Sequence, residues 1–174
     1  MSWTTQKTMT TADAGSASDW NTYIRDDVTY LHSGRPHFSI YRDNGANYTS
    51  NSTVFVNIDS TYLSATLTIT GSIVMLGFTG VLYGAGGGIT AFDFAVDGTR
   101  FGAAGTDGLT IQNTNASNAS SNVALTALSP ALSVGSHVFS IQWRTLSAST
   151  MALCAGSGVA GQDFIPHFWG IEVA

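Results

Sequence analysis

The chain has 174 residues and a formal net charge of −5, and only 10% of its residues are charged, less than half the share usual in a soluble domain. Its six basic residues (Lys7, Arg25, Arg35, Arg42, Arg100 and Arg144) are scattered, so no cluster is set to neutralise neighbouring phosphates, and no nucleic-acid binding is expected. The single cysteine, Cys154, leaves no intrachain disulfide framework and no multi-cysteine zinc site, while the longest apolar run, within residues 73–83, is too short and too glycine-broken to span a bilayer.

Residues 1–15 form a Thr-rich polar arm without periodicity and without the apolar core of a signal peptide, so synthesis and folding in a cytoplasm are expected. Trp3 and Met9 are large apolar groups in a segment too polar to fold alone, and docking onto a neighbouring chain is their expected role. Residues 16–33 are predicted to be one helix. Ser16 and Asp19 have capping-box spacing with Asp in place of Glu, Ser18 is an alternative cap, and Gly34 and Pro36 stop the helix. Trp20, Ile24, Val28 and Leu31 recur in helical steps as one apolar stripe, with Arg25, Asp26 and Asp27 off it. That stripe needs a cover. The expected division is therefore an anchoring and oligomerisation segment, 1–36, followed by a β domain, 37–174.

Beyond Pro36 the period changes to two. Strands are predicted at Thr53–Asp59 and Leu63–Ile69, broken at Asp59-Ser60, and along Ser72–Tyr83, with bends or bulges expected at Gly77 and Gly80. Ile89–Val96, the turn Asp97-Gly98 and the return Thr99–Phe101 read as a hairpin. Further strands are expected at Asn122–Leu128, His137–Trp143, Thr150–Ala155 and Ile165–Val173, about eight to ten in all. Loops are expected at Gly84–Gly88, Asn113–Asn122 and Ser157–Gly161. Many short strands without intervening helices mean an all-β antiparallel sandwich or barrel.

No chemistry assembles from these residues. His32, His37, His137 and His167 have no spacing that presents two together, so they are expected to be solvated or satisfied in the core, and no metal site is assigned. Asp97 is accounted for by its turn, Cys154 by burial as a small hydrophobe, and the glycine run lacks the Lys-Ser/Thr ending of a phosphate loop. No catalytic residue and no cofactor is assigned. Neutral hydroxyl and amide side chains give little repulsion between copies, which suits a subunit packed among copies of itself.

Two stretches carry a resemblance. Ser2-Trp3-Thr4-Thr5, followed by residues 17–27 (ASDWNTYIRDD), resembles the N-terminal segment of many tailed-bacteriophage virion proteins, with Asp27 where that pattern more often has Asn. Residues 135–144 through 168–173 are similar to the last strands of jelly-roll heads on the same proteins, whose topology is tumour necrosis factor-like. The resemblance implies a homotrimer of antiparallel jelly rolls, preceded by an extended arm and one N-terminal helix that attach it to the virion surface. Expected partners are other copies of the chain, virion proteins such as the major capsid protein or tail components, and a host surface receptor. The expected function is non-enzymatic: a capsid decoration protein, with a short tail fibre or tail-tip receptor-binding protein as the alternative. A helix of about 16 residues reaches roughly 24 Å, with no shaft to extend it, and this short reach favours decoration; a depolymerase lacks its catalytic constellation.

Overall fold

The computed structural model describes residues 34–84, 88–102, 105, 107–114, 119–147 and 149–173. The predicted arm and helix, with Trp3, Met9, Trp20, Ile24, Val28 and Leu31, lie outside the described residues. Twelve strands are present among those described: β1 (His37–Tyr41), β2 (Tyr48–Ser50), β3 (Val56–Asn57), β4 (Ser64–Ile69), β5 (Val74–Gly84), β6 (Gly88–Val96), β7 (Thr99–Arg100), β8 (Thr110–Thr114), β9 (Ala119–Leu128), β10 (Gly135–Thr145), β11 (Met151–Leu153) and β12 (His167–Glu172). Every pairing is antiparallel, and the described residues contain no helix.

The strands form two sheets. Sheet A runs β9–β5–β12–β1. β11 takes the end of β5 that β12 leaves free, and β2 lies outside β11. Sheet B runs β4–β10–β6–β8, with β3 continuing the line of β4 along β10 and β7 continuing that of β8 along β6. Alternation along the strands sends one set of side chains inward from each sheet. Leu76, Phe78, Leu82 and Phe168 from sheet A meet Phe92, Phe94, Phe139, Ile141 and Trp143 from sheet B in one shared core, as in a β-sandwich. The Phe78 and Phe92 ring centroids lie 6.1 Å apart, and those of Phe94 and Phe168 6.0 Å apart. Each such ring removed from water contributes about 1.5–3 kcal/mol.

One end of this core is closed by a carboxylate. Glu172 points inward from the last strand and is 3% exposed. It accepts hydrogen bonds from Thr70 N (2.9 Å), Thr70 Oγ1 (2.9 Å) and Gly71 N (2.7 Å), fastening the β4–β5 turn. The β6–β7 turn is the expected one: Asp97 and Gly98 both take positive φ, 50° and 79°, as a two-residue hairpin turn requires.

Several expectations need correction. Within Thr53–Asp59 only Val56–Asn57 is strand, because the Ser52 hydroxyl donates to Val54 O and accepts from Val54 N, holding a local turn. Gly77 and Gly80 do not interrupt β5: residues 75–84 pair one to one with β9 through both positions. These glycines make room for neighbours instead. A Cβ at Gly77 would stand 2.1 Å from the Trp169 ring, and one at Gly80 would stand 2.9 Å from Leu153. The loop expected at Asn113–Asn122 is shorter, since Asn113 and Thr114 belong to β8 and β9 begins at Ala119. β1, β2 and β8 were not among the predicted strands.

Candidate assembly face

The outward side of sheet A carries no lysine, arginine, aspartate or glutamate on any of its six strands. The one acidic residue in those strands, Glu172, is turned inward. The registers place this face in rows. His37, Ile171, Met75 and Leu128 form the first, and Ser39, Trp169, Gly77 and Thr126 the second. Tyr41, His167, Thr79 and Ala124 follow, and further along β5 come Val81 and Tyr83.

Trp169 sets the shape of the middle of this face. Gly77 has no side chain, so the indole lies flat across β5, with its Nε1, Cε2 and Cζ2 all within 2.4 Å of where a Cβ would stand. Beside it, Tyr41 stacks on His167, with centroids 4.0 Å apart and rings 4° from parallel. His167 Nε2 lies 2.9 Å from the Ser39 hydroxyl. Burial lowers the His167 pKa from its ordinary 6.5, favouring the uncharged ring.

The opposite outer face is built differently. Asp93 on β6 is fully buried and pairs with Arg100 at 3.3 Å. Desolvation pushes its carboxyl pKa up, against the pull of the Gly102 amide and the Arg100 charge. Arg144 on β10 pairs with Asp107. The two guanidiniums lie over the Phe55 ring, 4.1 and 5.1 Å from its centroid. A third group closes one end of the fold: Arg42 donates to Tyr48 at 3.0 Å, Tyr48 donates to Asp59, and the Arg42 guanidinium lies 4.0 Å from the Tyr62 centroid. Ionic groups thus gather on sheet B and in end loops.

Nothing among the described side chains forms a catalytic relay. His137 Nδ1 lies 2.7 Å from Asp97 Oδ2, but its Nε2 faces the Ser133 carbonyl at 2.9 Å, so no nucleophile completes the pair. Cys154 is buried, and its thiol pKa is raised by desolvation. Trp143 is core, 2% exposed, whereas Trp169 lies on the outer face. Sequence reasoning missed this face although β5 carries its signal. Val74–Gly84 is apolar or small on both sides, a pattern that in an antiparallel sheet marks a strand with both sides covered. No known protein-family model and no curated protein matches the chain.

Proposed function

We propose that the chain is a non-enzymatic structural protein of a tailed-bacteriophage virion, a homotrimeric jelly roll that sits on the particle surface as a capsid decoration, or cement, protein. The observation that carries self-association is the charge-free outward side of sheet A. Interface cores are depleted in charge and enriched in Tyr, Trp and Met, the composition of this face. At about 3.4 Å along and about 4.8 Å across per residue, its six strands together span roughly 620 Å², toward the lower end of what a stable interface, at roughly 800 Å² per partner, buries.

The jelly-roll reading is supported by the order of pairing. β1 pairs with β12, β4 with β10, β5 with β9 and β6 with β8. An antiparallel ribbon whose outermost strands pair first, folded over on itself, produces this nesting. The phage assignment rests on the resemblance of residues 2–5, 17–27 and the closing strands. Assignment as a short tail fibre or tail-tip receptor-binding protein is the second reading. It is favoured by the β11–β12 loop, where Phe164 and Ile165 are about half exposed, as suits contact with a host surface.

Light scattering on the purified protein is expected to give a trimer, and Val81→Lys a folded monomer, because an uncompensated charge in a buried interface is costly. A monomeric wild type would overturn the assembly reading. Virions lacking the protein are expected to assemble and adsorb normally but rupture more readily. Lost adsorption with intact head stability would replace decoration by the tail-fibre reading.

A further inference from the structure

The sequence contains one Asn-Gly step, Asn44-Gly45, in the β1–β2 loop. Gly45 is exposed, has φ +66°, and has nothing within 4 Å of where a Cβ would stand. The main-chain nitrogen after an asparagine can attack that asparagine's side-chain amide, and glycine offers the least obstruction to the approach. Three contacts address the three groups that such a reaction involves. The attacking nitrogen, Gly45 N, donates to Asp43 Oδ1 at 3.0 Å. The carbonyl under attack has its oxygen, Asn44 Oδ1, held by Arg42 Nη2 at 2.7 Å. The leaving nitrogen, Asn44 Nδ2, donates to Ala46 O at 3.0 Å.

Both charged groups are fixed from outside the loop. A Cβ at Gly156 would stand 2.0 Å from Asp43 Oδ1, so the carboxylate rests against a bare glycine. The Arg42 guanidinium is held by the Tyr48 hydroxyl and the Tyr62 ring. The loop itself is tied down by Arg42 N to Pro166 O and Asn44 N to Ala155 O.

We propose that Asn44 is a self-modification site, at which Asp43 and Arg42 promote closure of a succinimide that opens to aspartate or isoaspartate. Gly45 N forms a bond to Asn44 Cγ and passes its proton to Asp43. Arg42 stabilises the negative charge that develops on Oδ1. The Cγ–Nδ2 bond then breaks, and the nitrogen leaves as ammonia with the proton returned by Asp43. No oxidant or reductant takes part. Solvent water adds to either carbonyl of the ring and opens it, leaving a new carboxylate beside Arg42.

The test is peptide mapping by mass spectrometry of the full chain, incubated in mildly alkaline buffer, alongside a synthetic peptide of residues 39–48. In the folded protein Asn44 is expected to convert about tenfold or more faster than in the peptide, the size of a modest general-base and orientation effect. Asp43→Asn is expected to bring the rate down to that of the peptide. Gly156→Ala, which displaces the carboxylate without removing it, should slow conversion in the same direction, with circular dichroism reporting that the fold is retained. A folded-protein rate equal to or below the peptide's means that the loop protects Asn44, and overturns the proposal. So does an unchanged rate in both variants.

Discussion

Glu172 shows how one buried carboxylate can hold a turn, adding to the backbone bond that Val173 N donates to Ile73 O. Its oxygens accept from two consecutive main-chain amides and one hydroxyl of the β4–β5 turn, where water has little access. Removing the acceptor while leaving the donors in place costs more than the bonds are worth, because the amides keep their desolvation penalty. Glu172→Ala is expected to lower stability by about 2–4 kcal/mol, read as a shift in the urea midpoint. Glu172→Gln, which can still accept at one oxygen, should lose less. Gly77 shows the converse: its value lies in what it lacks, since any side chain there would lift Trp169 off the sheet.

At the scale of elements, the β6–β7 turn is latched to β10 by an ionisable pair. Asp97 accepts from Val138 N at 2.9 Å, and its other oxygen faces His137 at 2.7 Å. The Val138 amide, then His137, holds the Asp97 carboxyl below its ordinary 3.8. Asp97, then the Ser133 carbonyl, raises His137 above 6.5. The Asp97 contribution is present above 3.8 and is lost as pH falls through its lowered folded value. That of His137 is fully present below 6.5 and is lost as pH rises through its raised one. The latch is therefore strongest between these ordinary values. The stability advantage of the wild type over His137→Gln, followed by thermal unfolding, is expected to shrink as pH rises above 6.5.

The hairpin that carries this latch was legible in the sequence because Asp-Gly dictates its turn locally. β4, β9 and β10 were legible because their alternation is strong. β1, β2 and β8 were not, since HFSIY, YTS and TIQNT are short and polar and become strands only by pairing with β12, β11 and β6. The glycines of β5 misled for a related reason: Gly77 makes room for Trp169 and Gly80 for Leu153, both far away in the chain. The assembly face was hidden in the same way, because it exists only once the register sets Trp169 beside Gly77.

Over the described residues as a whole, ionic groups and the candidate assembly face are segregated: the pairs lie on sheet B and in end loops, and the outward side of sheet A carries no lysine, arginine, aspartate or glutamate. Self-association through such a face gains nothing from long-range attraction and loses nothing to screening. The sedimentation distribution of the oligomer is accordingly expected to be unchanged between low and high salt, whereas an interface built on ion pairs would dissociate. The pairing of β1 with β12, His37 opposite Ile171, also governs how the chain reaches this state. On the ribosome, β1 emerges before β12 and must wait, its sheet partner still unmade, while residues 42–166 are synthesised. Such distant partners place the fold among those of high contact order, which close in milliseconds to seconds. During that interval the uncharged strands of sheet A are exposed to the neighbouring nascent chains with which their folded form is proposed to assemble.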